Sequence, residues 1–465
     1  MRLLYLLMIG LLLFSFWKAM WKLRRRETRL TPILGWMLGL GFFIVAPLTI
    51  IVLLGGYEIP SFYEVNGNYS KVDLSTGEFF LPVAAIWASL LFSFLIVILL
   101  TPAERNAGRR IDASMNAGVN ATINESKLKK ALLITGGLAV FSYVAMIQMV
   151  GGLEIFLVSH WFKRQEDLVS RLGDWYVLFS QVALADQVLF TAAAVLFAHL
   201  QVKFGKFHWR FSALILLLFL LQIAMTGNRI FFGLYLISFG ASCWLYRRKR
   251  PLVILLALAP ALILVFSAWN YFRHNLSTIG SDISTYAEGD LGNRSITSLM
   301  DAFEANDTLI LLHMINDFGS KHGYLYGGSY ARVLYFALPR SIYPEKPPGF
   351  ALQMGAFYEP GTGVSLAVTQ LGECWANFGP LSLLLFPLIT AAIVKFSWSR
   401  AGEMQNHALL GAALFVLFIW MARASFEDNF MTLVLAFGLA ALLQLEKGLS
   451  GASAVTHKRL LSEPI

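Results

Sequence analysis

Apolar runs of about twenty residues recur along this chain, each closed by basic or polar residues. A run of that length matches the hydrocarbon thickness of a bilayer. Inside a bilayer every backbone N–H and C=O must be satisfied within the fold, which leaves helices or closed barrels. Eleven runs are found, at 3–21, 32–54, 81–101, 131–150, 176–200, 211–227, 229–246, 252–270, 379–396, 407–422 and 430–446. The chain reads as an all-α polytopic membrane protein with eleven spans. A re-entrant segment in 151–175 or 295–320 would make twelve. Composition agrees: 57% of residues are hydrophobic and 14% charged, with mean hydropathy +0.63. Soluble domains carry about a quarter charged residues. The first run lacks a small-residue cleavage site and is followed by Lys22-Leu23-Arg24-Arg25-Arg26, so it reads as a retained span.

Lys and Arg set the orientation. Segments 22–30, 102–130, 202–210, 247–250, 395–406 and 446–465 hold 23 of them, and the short segments on the other side hold 7. The first set is therefore assigned to the cytoplasm, and the long loop 271–378 to the outer face. The organisation expected is eight spans in 1–270, a large outer loop 271–378, further spans in 379–446 and a cytoplasmic tail 447–465. The net charge of +9 follows from span-end basics, and no basic run with interleaved aromatics forms a nucleic-acid surface. Cys243 and Cys374 fall on opposite faces in this topology, which excludes a disulfide between them, and they have no His pair for zinc.

The outer loop holds the chemistry. From Ser295 a helical period places Ile296, Leu299, Met300, Phe303, Ile310, Leu311 and Met314 on one face. Such a helix lies on the membrane surface or caps the bundle. Asp307 either projects into that apolar face or caps a second helix. Arg332, Arg340 and Lys346 stand among Pro339, Pro344, Pro347 and Pro348, and the prolines restrict where those charges point. They suit a phosphate-bearing ligand, or else anionic headgroups. Arg273 opens the loop in Tyr271-Phe272-Arg273-His274. Arg229, after Gly227-Asn228, joins a turn to a helix start, which suits an anion, or else it snorkels to lipid phosphate. Glu373 reads either as a partly desolvated base or as a strut paired with a loop arginine. Tyr324, Tyr326, Tyr330 and Trp375 offer stacking surfaces for sugar rings. Asp186 lies ten residues into the fifth span, about 15 Å deep, lining a cavity or pairing with an Arg such as Arg423. His274, His313 and His322 lack metal-ligand spacing, and no metal or cofactor is expected.

Two stretches carry a resemblance. Gly323-Tyr324-Leu325-Tyr326-Gly327 with Leu338-Pro339-Arg340 and Pro344-Glu345-Lys346-Pro347, followed by Gly372-Glu373-Cys374-Trp375-Ala376-Asn377-Phe378-Gly379, resembles the Wzy-type O-antigen polymerases. The resemblance implies a glycosyltransferase of the bacterial inner membrane working at its periplasmic face. Such enzymes join oligosaccharide repeat units carried on undecaprenyl diphosphate. It implies roles for Arg229, Arg340 and Glu373, which are expected to be catalytic, and for Lys346, Tyr324 and Tyr326 as substrate contacts; the residues' own chemistry adds Arg332, Arg273, Asp307, Tyr330 and Trp375 as further expected substrate contacts. A chain-length-regulating co-polymerase is implied as partner. Two other readings stay open: a glycan ligase, which shares the donor, and a flippase, which calls for charges deep in the spans.

Overall fold

The computed structural model describes residues 2–26, 32–58, 71–101, 125–152, 172, 175–204, 209–226, 305–335, 338, 342–360, 366–399, 408–426 and 430. Among these, five helices are long and apolar enough to cross a bilayer: Arg2–Leu23, Pro32–Leu54, Phe80–Leu100, Leu128–Val150 and Gln370–Ser399. The chain is thus a helical protein with the build of a membrane-embedded one. Helices Trp175–Phe204, Trp209–Thr226 and Ala408–Met421 stand where the fifth, sixth and tenth spans are expected. The expected spans 229–246 and 252–270 lie outside the described residues, as does 430–446 beyond its first residue.

Helix α1 is Arg2–Arg26. Helix α2, Pro32–Leu40, runs through one π-turn, Gly41–Val45, into α3, Ala46–Leu54. Helix α4 is Phe80–Leu100, with Pro82 in its first turn, where a missing N–H costs nothing. Helices α5, Glu125–Val150, and α6, Trp175–Phe204, pack along each other. They enclose a small cluster of Tyr143, Met146, Val150, Leu172 and Phe179. Helix α7 is Trp209–Thr226.

Close packing near the N-terminus depends on a Gly35-x-x-x-Gly39 pair. A Cβ on Gly35 would stand 2.1 Å from the Phe415 carbonyl oxygen, and one on Gly39 2.5 Å from that of Ile419. The two glycines therefore let α2 touch the backbone of the helix Ala408–Met421, as small residues do between membrane helices. Polar contacts pin the same bundle. Trp36 Nε1 donates to Thr390 Oγ1 at 3.2 Å. The Ile33 N–H, an orphan donor at the start of α2, donates to Ser397 Oγ at 3.0 Å.

Two features depart from the sequence reading. First, the chain is not wholly helical. Gly56–Glu58 and Lys71–Asp73 pair antiparallel, with Tyr57 opposite Val72. Gly55, at φ 81, ends α3 and turns the chain into this ribbon. Second, α8, Ala305–Asp317, is not a surface amphipath. Residues 307–315 are all buried, His313 and Thr308 included, because α3, α4, the π-turn and the helix Gln370–Phe378 surround it. The π-turn has its own partner in α8: Thr308 Oγ1 donates to the Phe43 carbonyl at 2.9 Å.

Candidate functional site

The polar residues of the fold gather around α9, Gln370–Phe378. Thr369 caps its start by accepting the Gly372 N–H at 3.2 Å. Its end is closed by another part of the chain. Leu325 N donates to Ala376 O at 2.9 Å, and Tyr326 N to Asn377 O at 3.0 Å. These bonds satisfy carbonyls that a helix leaves orphaned in its last turn. Gly379 then breaks the helix at φ 56. A Cβ there would lie 2.5 Å from the Tyr324 ring, so Tyr324 packs directly on the break. After a 3-10 turn, Gly379–Leu381, the chain continues into α10, Ser382–Ser399.

Gln370, Glu373 and Asn377 are spaced to share one face of α9. All three meet a single short helix, Gly328–Ala331. Ser329 Oγ donates to Glu373 Oε1 at 2.5 Å, and Asn377 Nδ2 donates to Ser329 Oγ at 2.7 Å. Asn377 Nδ2 also reaches its own helix at Glu373 O, 2.7 Å. The other carboxylate oxygen, Glu373 Oε2, accepts the Phe426 backbone N–H. Gln370 Nε2 donates to the Tyr330 hydroxyl at 3.3 Å. The Tyr330 ring stacks on Phe378, with centroids 5.8 Å apart, and tilts against Phe426 at 5.1 Å. Burial, together with the Glu373 charge, holds the Tyr330 phenol well above its ordinary pKa, so it stays neutral.

A second connection joins this layer to α8. Arg423 Nε donates to Asp307 Oδ2 at 2.7 Å, with Asp307 buried and Arg423 half-buried. The guanidinium lies 5.4 Å from the Trp420 ring and 5.8 Å from that of Phe43. Asp307 sits in the first turn of α8, where the helix dipole favours a negative charge. The residue before Arg423, Ala422, accepts the Gln370 N–H at 3.4 Å.

The expected site residues fall in different places. Glu373, Tyr330 and Asp307 belong to this layer, and Tyr324 packs at its edge. Glu373 is 0% exposed, not partly desolvated, and both its oxygens are engaged. Arg332 and Lys346 lie on the neighbouring loop. Arg332 Nε donates to Pro347 O at 3.0 Å, and Lys346 Nζ to Leu338 O at 3.1 Å, so each braces the backbone of the other limb. Trp375 departs from expectation. It is 4% exposed and offers no face to a sugar, because α9 is covered on that side by the core. Tyr326, by contrast, is open. Arg229, Arg273 and Arg340 lie outside the described residues. Asp186 is buried in α6 beside Tyr143 of α5. No group of three or more His, Cys, Asp or Glu stands ready for a metal among the described residues.

Sequence reasoning passed over Ser329, Gln370 and Phe426, and did not foresee the Asp307–Arg423 pair. The Gln370-x-x-Glu373-x-x-x-Asn377 spacing is the signal that would have found the shared face. Compared with known proteins, the chain matches no family model, no curated protein and no solved structure.

Proposed function

We propose that this protein is a membrane-embedded glycosyltransferase that polymerises oligosaccharide units carried on a polyprenyl diphosphate. One observation carries the reading. The two stretches on which the resemblance rests are far apart in sequence, yet segments 323–330 and 372–379 dock as one unit at the end of an apolar helix. A rigid polar layer backing the exposed Tyr326 and the neighbouring cationic loop suits a substrate with a lipid tail and a hydrophilic head.

In this reading the acceptor hydroxyl oxygen bonds to the anomeric carbon of the donor. The bond from that carbon to the diphosphate breaks, the diphosphate leaves with the electron pair, and the hydroxyl proton passes to an oxygen of that leaving diphosphate. Arg340, Arg229 and Arg273 hold the diphosphate, joined by Arg332 and Lys346 at the loop neck. Negative charge grows on the leaving group, and guanidinium groups stabilise it. Glu373 takes a positioning role, because the Ser329 hydroxyl and the Phe426 amide occupy its oxygens. It fixes Ser329 and therefore Tyr330 and the loop behind them. Tyr326 supplies the exposed aromatic surface for a sugar ring.

The test is reconstitution. Purified protein in vesicles is given lipid-diphosphate-linked repeat units, and products are resolved on a gel. A ladder from wild type that collapses to single units with Arg340→Ala supports the reading. Vesicles that bind the substrate yet never extend it sink the reading.

A further inference from the structure

Helices α8 and α9 both begin halfway along a helix of membrane length. That helix, Pro32–Leu54, has Phe43 at its centre, 11 residues from either end. Thr308, at the start of α8, donates to the Phe43 carbonyl at 2.9 Å. From there α8 runs outward. His313 lies 3.0 Å from the Lys71 carbonyl, in the ribbon that follows the end of α3. The start of α9 lies at nearly the same depth. Gln370 N donates to Ala422 O at 3.4 Å, and a Cβ on Gly39 would touch that of Ala422 at 2.7 Å. Gly39 is four residues from Phe43, about 6 Å along the helix. The two helices also pack side by side, since a Cβ on Gly372 would meet Leu311 at 3.2 Å and Met314 at 3.5 Å.

Helix α9 does not run straight on into α10. The stretch Gln370–Ser399 is apolar enough to cross a bilayer, but as one straight helix it would be about 45 Å long, against a hydrocarbon core of about 30 Å. Contacts exclude that shape. Straight, it would hold Gln370 about 40 Å from Ser397. Instead a short path joins them. Ser397 Oγ accepts the Ile33 N–H, Ile33 is six residues, about 9 Å, from Gly39, and Gly39 meets Ala422, which holds Gln370. The chain turns back at Gly379, where φ is 56. Helix α9 thus rises from mid-span to that turn, and α10 descends from it beside α2 and α4.

The inner ends of both helices are sealed by a break in a third. Ala408–Met421 runs parallel to α2, because Gly35 meets Phe415 and Gly39, four residues on, meets Ile419. It stops at the depth of Gly39, and residues 422–425 are not helical. Irregular backbone at such depth is tolerated only where protein satisfies its polar groups. Here each irregular end satisfies the other. The Ala422 carbonyl takes the Gln370 N–H, and the Glu373 carboxylate takes the Phe426 N–H. Arg423 holds Asp307 of α8. We propose that α8 and α9 are re-entrant half-helices, which enter the bundle from the ribbon end of α3 and stop at mid-span against the break at 422–425. The segment read as an outer loop, 271–378, therefore has two limbs inside the bundle. The polar layer on α9 lies within the length of the spans, with Asp307 and Arg423 at its inner end. This topology rests on the membrane reading alone and stands whatever the enzymatic activity proves to be.

The test uses the full chain in phosphatidylcholine nanodiscs. Hydrogen exchange of the unmutated protein reads the depth of each half-helix. Amides at the inner ends, 307–310 and 370–373, are expected to exchange several-fold more slowly than those of the largely exposed turn 319–323. Inner ends that exchange as fast as that turn overturn the proposal. Thiol crosslinking gives a second readout, in a background carrying Cys243→Ser and Cys374→Ala. Gln370→Cys with Ala422→Cys is expected to crosslink within one chain through a short bifunctional reagent, as Ile33→Cys with Ser397→Cys does. A crosslink of the 33–397 pair without one of the 370–422 pair overturns the proposal, in favour of a straight helix that projects beyond the bilayer. A 370–422 crosslink formed only between two chains overturns it as well. Where a variant does not fold, exchange of the unmutated protein decides.

Discussion

Ser329 gives its hydroxyl hydrogen to Glu373 at 2.5 Å across 44 residues of sequence, inside a fully buried layer. This hydroxyl joins the backbone bonds of Leu325 and Tyr326 in fixing where the loop meets the end of α9. Asn377 donates to the same oxygen, so the contact is a three-residue unit.

Such a unit is non-additive. Glu373→Leu leaves the Ser329 hydroxyl and the Phe426 amide without an acceptor, and a buried donor stranded that way costs about 1–3 kcal/mol. Ser329→Ala removes the donor and costs about 1 kcal/mol less. Combined, the two changes are expected to fall short of their sum by about 1 kcal/mol or more. Thermal unfolding of the four proteins in detergent checks this. Additive losses would mean that the two side chains do not work as a unit.

The Asp307–Arg423 pair predicts a rescue. Removing one member of a buried pair leaves a lone charge, at a cost of about 3–5 kcal/mol. Arg423→Met or Asp307→Leu alone is therefore expected to lower the unfolding temperature strongly. The double variant carries neither charge of the pair and leaves two apolar side chains beside Trp420 and Phe43, the rings that the guanidinium faces. It is expected to be more stable than either single variant. A double variant worse than both would show that the pair contributes more than its desolvation costs.

The glycines of α2 predict a contrast within one chain. Gly35→Ala puts a methyl into the Phe415 carbonyl, and overpacking of this kind costs about 1–3 kcal/mol. Gly10 and Gly137 also lie in helices but meet nothing within 4 Å. Ala there is expected to be neutral or to stabilise by up to about 1 kcal/mol, since it is the better helix former. Unfolding temperatures of the three variants decide the matter.

The spans were legible because hydropathy is local: the runs at 3–21, 32–54, 81–101 and 131–150 are helices in the structure. The surroundings of α8 were not. Its periodic set Ile310, Leu311 and Met314 is buried as expected, but so are Leu309, Leu312 and Ile315 between them. A helix surrounded on all sides has no solvent face, and a period cannot report neighbours that arrive from elsewhere in the chain. The site was half legible. Glu373, Tyr330 and Asp307 stand out as polar groups in apolar company. Ser329 and Arg423 gain their meaning from partners 44 and 116 residues away, which spacing along one helix does not encode.

His313 gives the fold a pH dependence with a definite sign. Its Nε2 lies 3.0 Å from the Lys71 carbonyl, a contact that requires a proton on that nitrogen, and its ring meets Phe79 edge-on at 5.0 Å. Burial lowers its pKa below the ordinary 6.5, against the opposing pull of the Lys71 carbonyl, Asp317 and Glu78, while Lys321 adds to the lowering. The folded protein therefore resists a proton that the unfolded chain accepts. Below 6.5 the unfolded state binds more protons, so stability falls as pH drops toward the folded pKa. The slope in that window is at most about 1.4 kcal/mol per pH unit. His313 ties α8 to the ribbon Gly56–Glu58 and Lys71–Asp73, so the loss is expected to register there first. His313→Gln retains a donor for the Lys71 carbonyl and carries no titrating group. Its stability is expected to lose this part of the slope between pH 7 and pH 5, while the rest of the acid profile stays. Identical profiles for wild type and variant would mean that His313 titrates normally in the folded protein.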